Sequence, residues 1–334
     1  MSGLKAGLKR LAEGAVAPLA PFTWRLRGGS RLLVLMYHRV LPADHADRLI
    51  EQPGMYVSPQ TLDLHLTVLK RHFPVVHLDE WLSAAQRGGP LPSRACALTF
   101  DDGWRDNFEH AFPVLLRHRA PATIFLVSSM TGTLRQFWPN RLARRLIGLQ
   151  PEEGLPEPLQ SVLAPTIEQA RRAGGWGRDS VDAAIVLAKR LGEEQIQKLL
   201  DDTPGSGAER AVLNEDEVRE MAASGLVRFG SHTRTHLRFR GEQPRQTLES
   251  EIVSSREEIA CCAGAAGVGV FCYPNGDTTA AALGMVRQHY LAAVTTQKGW
   301  HHAGADPFLI RRIGVHEDIS NRPAAFLARI SGLL

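Results

Sequence analysis

From Arg31 to Val315 the chain alternates short apolar runs with stretches whose apolar residues recur every three or four positions. The runs 31–38, 95–100, 121–127, 227–231, 268–274, 291–296 and 308–315 predict strands, and the first reads as buried. Between them, Leu62, Leu66, Leu69 and Phe73 mark one face of a helix over 60–73, and further helices are predicted over 105–118, around 245–260 and near 279–289. Asn214 followed by Glu217 is a capping-box start for a helix ending at Gly225. Strand and helix in strict alternation predict an α/β architecture with a parallel sheet, open or closed.

Residues 131–210 break this rhythm. Their helical patterns are interrupted by GLQPEEGLPEP and DTPGSG, so they are expected to form a helical insertion on the core, with Arg141, Arg144 and Arg145 near its start. The domain expectation is a basic segment over 1–30, a main domain over 31–320 containing the insertion, and a C-terminal helix over 321–334. Such an insertion could cover a substrate site or meet a partner.

Composition narrows the class. With 334 residues, 44% hydrophobic and 22% charged, the chain can bury one large core or two ordinary ones. The net charge of +4 is uneven: residues 1–40 carry +6 and the remainder −2. A body of that charge is not expected to bind nucleic acid, which requires a concentrated cationic face. Cys96, Cys261, Cys262 and Cys272 form no CxxC pair and read as reduced thiols. No run of about 18 apolar residues suggests a transmembrane helix, and the N-terminus lacks a convincing export signal, which makes the cytoplasm the default location. Leu4, Leu8 and Leu11 beside Lys5, Lys9 and Arg10 predict a short basic amphipathic helix over 2–13. It either packs on the body or rests on an anionic membrane surface at the inner face, with residues 1–28 as the contact.

Three segments carry chemistry, each at the end of a predicted strand, where α/β folds place their active sites. LTFDDGWRDN ends in Asp101 and Asp102, although a lone Asp-Asp-Gly is equally an ordinary turn. FGSHTRTHLRF holds His232 and His236, four apart, so both imidazoles can face one point; among 13 histidines such a pair can also arise by chance. FCYPNGD makes a proline turn with backbone N–H groups free to face a ligand. Jointly, one carboxylate and two histidines complete a three-ligand open metal site and leave the other carboxylate as a base.

These segments, in this order, resemble the polysaccharide deacetylase family (the NodB-homology domain, carbohydrate esterase family 4). TFDDG at 99–103 resembles its first motif, HTRTH at 232–236 its second, and FCYPNGD stands where the third belongs. The resemblance spans about 31–315 and implies a distorted (β/α) barrel that removes N-acetyl groups from amino sugars of a glycan. It further implies that Asp102, His232 and His236 hold a divalent metal, most often zinc, with cobalt, nickel, iron or manganese as alternatives. Asp101 would then be the general base, and the backbone N–H of Asn275 an oxyanion donor.

Two departures stand out. Cys272 occupies the place of the motif arginine that orients the base, so Arg311, Arg312 or Arg105 would have to do so. The late histidine that serves as general acid in many members has no close copy here. His38, at the end of the first predicted strand, takes that role in the permuted subgroup that includes exopolysaccharide poly-N-acetylglucosamine deacetylases. His38 is therefore the expected acid and His316 the alternative. Trp104 and Trp138, with Trp300 behind them, are candidates for a platform under a sugar ring, though each is equally a core residue. The expected substrate is an N-acetylated glycan or sugar-lipid intermediate. The rivals are hydrolysis of another amide or ureide C–N bond on the same scaffold, and non-catalytic carbohydrate binding.

Overall fold

The structure is a computed structural model, and it describes residues 7, 12–26, 28–148, 154–201, 209–264 and 268–332. Most of the amphipathic helix expected over 2–13 therefore lies outside the described residues. The chain divides into two compact units, one of Met1–Pro42, Gly54–Thr133 and Val212–Leu334, the other of Ala43–Pro53 and Leu134–Ala211.

The larger unit is built on seven parallel strands among the described residues: β1 (Arg31–Tyr37), β2 (Arg94–Phe100), β3 (Ala122–Leu126), β4 (Val227–Ser231), β5 (Val270–Cys272), β6 (Ala292–Lys298) and β7 (Ile310–Gly314). Each pairs with the next, and β7 returns to β1 through Leu35 opposite Ile313, which closes the ring. This is a distorted (β/α) barrel. Seven strands in a closed parallel sheet leave no free edge.

The continuous apolar character of the strands follows from this closure, because each strand buries both faces. Leu32, Val34, Ala95, Ala97, Phe125, Val270, Cys272, Val294 and Ile310 belong to one cluster, and the alternate residues Leu33, Leu35, Cys96, Leu98 and Ile124 to the other, which includes the surrounding helices. Period-two alternation then assigns the strand ends. Asp101 continues the row of Ala95, Ala97 and Thr99, and Arg312 that of Ile310, so both face the side shared with Cys272.

Two helices contain π turns, at Asn107–Ala111 and Glu249–Ser254. The uniform helices expected over 105–118 and 245–260 are thus each interrupted. The helix Ala20–Leu26 buries Trp24 against Phe73 and Trp300 at ring separations of 4.7 and 6.0 Å, leaving Phe22 exposed. The C-terminal helix is Pro323–Ser331, and Phe326 and Ile330 join the same core.

The smaller unit holds the helices Trp138–Gly148, Leu159–Ala173, Arg178–Ala188 and Glu193–Asp201. Leu142, Leu146, Leu163, Val181, Ile185 and Ile196 form its own core. It corresponds to the insertion expected over 131–210, with the difference that Ala43–Pro53 joins it. Those residues contribute Ile50 to that core and Glu51, which accepts a buried bond from Asn140 Nδ2 at 3.0 Å. No helix of the described residues is long and apolar enough to cross a membrane.

Candidate active site

Strand β2 ends at Phe100, and the next two residues diverge. Asp101 stays in the inward row, with its N–H donating to Tyr37 O at 3.0 Å. Asp102 takes a left-handed backbone (φ 75), which turns its carboxylate toward the loop after β4. Gly103 follows at φ 69, where a Cβ would stand 2.6 Å from Leu126 Cδ2, so only glycine fits the turn.

Asp102 Oδ1 lies 3.4 Å from His232 Nε2 and 3.6 Å from His236 Nε2. Metal–ligand bonds of about 2.0–2.1 Å arranged tetrahedrally place neighbouring ligand atoms about 3.3 Å apart, so the spacing suits a small divalent ion. Second contacts aim the donors as well. His232 Nδ1 meets Cys272 O at 2.8 Å, and since a carbonyl only accepts, Nδ1 carries a proton and Nε2 is the nitrogen turned toward Asp102. Trp104 Nε1 donates to Asp102 Oδ2 at 3.0 Å, leaving Oδ1 for the shared point. Burial opposes ionisation of Asp102, but the surrounding imidazoles of His232, His38 and His236 outweigh it and hold the carboxyl well below its usual range. Burial, with His232 alongside, pushes His236 down to about 4, so its imidazole is neutral at pH 7. One carboxylate and two imidazole nitrogens converging on one point fit zinc or a similar ion.

Asp101 is held separately. Arg312 Nη1 and Nη2 donate to its Oδ1 and Oδ2 at 2.6 and 2.7 Å, and both side chains are essentially buried. The guanidinium is itself fixed by Thr295 O at 2.9 Å, Thr99 Oγ1 at 3.1 Å and Cys272 Sγ at 3.3 Å. A register shift between Ile310 and Arg312, where β7 pairs with β6, accompanies this placement and is the kind of irregularity that re-aims a side chain. Burial works against the Asp101 anion, and the Arg312 ion pair reverses this, so the carboxyl stays ionised below its usual range. Of the three arginines considered from sequence, Arg312 contacts Asp101. Arg311 is exposed, and Arg105 pairs with Glu109 and Glu217. Arg312, reaching in from β7, lies against Cys272, the residue that takes the motif arginine's place in the sequence.

His38 follows β1, with Nε2 3.9 Å from Asp101 Oδ2. Its carbonyl accepts from Asn107 Nδ2 at 2.8 Å, and the next residue, Arg39, donates to buried Asp106 at 2.8 Å. His316 instead has Nδ1 3.7 Å from Asp318, beside Gly54. Asn275 adopts φ 56, ψ 8 in the turn after β5, and its carbonyl accepts from Thr296 Oγ1 at 3.0 Å. Gly276 backs that turn onto β6, since a Cβ there would meet Thr296 Oγ1 at 2.4 Å.

The tryptophan platform requires correction. Trp104 is 2% exposed, its N–H is committed to Asp102, and the Arg39 guanidinium covers its ring at 4.2 Å. Trp138 is packed into the core of the smaller unit. Trp300 is buried and donates to Ile330 O at 3.0 Å. A buried ring offers no face to a sugar, and none of the three presents one. Sequence reasoning missed Arg39, Asp106, Asn107 and Glu251, which act on backbone or on neighbouring side chains; Asp106 and Asn107 lie within LTFDDGWRDN but were not singled out there.

Comparison with known proteins bears on the family and the fold. The model of the polysaccharide deacetylase family matches residues 88–154 and 186–294, a stretch that includes Asp101, Asp102, His232, His236 and Asn275 but neither His38 nor Arg312. A poly-beta-1,6-N-acetyl-D-glucosamine N-deacetylase of Staphylococcus epidermidis is 29% identical over 131 residues, covering 37% of this chain and 45% of the relative. The chain thus matches less than half the length of this curated relative. Among solved structures, a Streptococcus pyogenes deacetylase in complex with acetate superposes with a TM-score of 0.59 at 16% identity, covering 90% of this chain and 99% of that one. IcaB from Ammonifex degensii gives 0.54 at 19%, covering 90% and 98%. These two likenesses speak to the fold. The family match extends over more than half of the chain, which belongs to the polysaccharide deacetylase family.

Proposed function

We propose that the protein is a metal-dependent hydrolase that removes N-acetyl groups from amino sugars of a polysaccharide or of a sugar-lipid intermediate. The observation that carries this reading is the pairing of two adjacent carboxylates with different partners. Asp102 faces two imidazole nitrogens, and Asp101 faces a guanidinium. A site that only bound sugar would have no use for an ionised base beside a ligand cluster.

Asp102, His232 and His236 would hold the ion. When bound, it would supply Lewis acidity that polarises the acetyl carbonyl and acidifies a water in the open position. Asp101, kept anionic by Arg312, takes the proton of the attacking water. His38, close to Asp101 at 3.9 Å, gives a proton to the amine nitrogen as the C–N bond breaks. The Asn275 backbone N–H donates to the oxyanion that forms at the carbonyl oxygen as water adds to the carbonyl carbon. Products are acetate and the free amino sugar.

Acetate release from N-acetylated oligosaccharides and sugar-lipid intermediates, with and without chelator, tests this. Release that stops on chelation and returns with zinc or cobalt supports the reading. A zinc-loaded protein that releases no acetate but cleaves a small amide or ureide transfers it to the rival substrate class.

A further inference from the structure

The turn that carries both histidine ligands is backbone-strained. Thr233 and His236 each have φ 65, a left-handed conformation that residues with a Cβ adopt only at an energetic cost. Thr233 is also β-branched, which makes that conformation harder still. The surroundings must therefore impose the shape. Thr233 N donates to Ser231 Oγ at 3.2 Å. Ser128 N and Ser129 N donate to Thr233 O and Arg234 O at 3.3 and 2.9 Å.

Two further N–H groups of the turn go to one side chain. Arg234 N and Thr235 N both donate to Glu251 Oε2, at 3.0 and 2.9 Å, and Thr235 Oγ1 donates to Oε1 at 2.8 Å. Glu251 is 6% exposed. It lies in the π turn Glu249–Ser254, and such widened turns occur mostly as short interruptions at functional sites. A buried carboxylate bridging two successive N–H groups makes charge-assisted bonds, roughly twice as strong as neutral ones.

We propose that Glu251 is a positioning residue for the metal centre, fixing the 233–236 turn so that His236 meets His232 and Asp102. This rests on the reading of Asp102, His232 and His236 as metal ligands. The π turn is the device that brings the carboxylate under the loop. Glu249, two residues earlier, is exposed and pairs with Arg245 at 2.7 Å, so it serves as the control.

Zinc affinity, measured by competition with a chromogenic chelator on the full chain well below its unfolding temperature, tests the proposal. Outer contacts that orient metal ligands are typically worth 10- to 100-fold in affinity, so Glu251→Gln should weaken zinc by about that factor while Glu249→Gln does not. Affinity in Glu251→Gln equal to that of the parent would overturn the proposal, even if its Tm falls, because a merely structural role moves Tm and not affinity. If Glu251→Gln does not fold, Thr235→Ala removes only the hydroxyl bond, and a severalfold loss is expected; no loss would equally overturn it. A parent chain that takes up no zinc overturns both the proposal and the reading beneath it.

Discussion

Arg312 and Asp101 meet in a two-pronged ion pair, with N–O distances of 2.6 and 2.7 Å across 211 residues of sequence. Neither is exposed to water, so the pair can act only as a unit. Arg312→Lys keeps the charge but loses the fork. Misplacing a catalytic group by about an ångström can cost roughly a hundredfold, and acetate release should fall by about that much with zinc content unchanged. Arg312→Ala leaves a buried anion unpaired and should lower stability by about 3–5 kcal/mol in denaturant titration. Parent-like turnover in Arg312→Lys would remove the orienting role.

His38→Gln should retain zinc and lose turnover on N-acetyl sugars by about 10²–10⁴, the usual worth of general acid–base catalysis. An aryl acetate ester has a leaving group that needs no proton, and the variant should hydrolyse it nearly as fast as the parent does. Equal losses on both substrates would contradict the assignment as acid.

Metal binding should stabilise the fold by mass action. Free zinc at about 100 times its Kd contributes about 2.7 kcal/mol, a rise in Tm of about 5 °C or more for a domain of this size. His236→Ala should show little of this rise, and a rise of the same size in that variant would place the ion elsewhere.

His65 predicts loss of stability in acid. Tyr37 O–H donates to its Nδ1 at 3.0 Å, and its Nε2 donates to Ser320 O at 2.7 Å, so the neutral imidazole is fully bonded. Burial pushes it from 6.5 down to about 4. The unfolded chain therefore takes up the proton first, and the stability present above pH 6.5 drains away as pH falls toward 4. By pH 5 the loss from this group is about 2 kcal/mol. Denaturant titrations at pH 7.5 and 5 should show it, and His65→Gln should flatten the difference. An unchanged slope would assign acid sensitivity to other groups.

Much of the barrel and of the convergence of Asp102, His232 and His236 was legible in the sequence, for different reasons. Closed parallel strands must be apolar on both faces, which is visible without knowing the fold, and ligand pairs such as His232 and His236 need a fixed short spacing. Arg312 was not separable from Arg311 by the same means. Ile310 and Ile313 are both buried, on opposite faces of β7, so alternation of apolar positions does not say which arginine turns inward. Trp104 and Trp138 were misjudged as candidate platforms because sequence does not report which ring a guanidinium or a leucine core will cover. Glu251 lies among Glu249, Glu257 and Glu258, and a π turn shifts the helical phase that would single it out.

The central claim is that adjacent Asp101 and Asp102 divide the labour of base and metal ligand. Acetate release by Asp101→Asn, measured alongside its bound zinc, tests this most directly. The division predicts zinc at the parent's stoichiometry with turnover reduced by about 10²–10⁴. Parent-like turnover in Asp101→Asn, or loss of zinc together with activity, would contradict it.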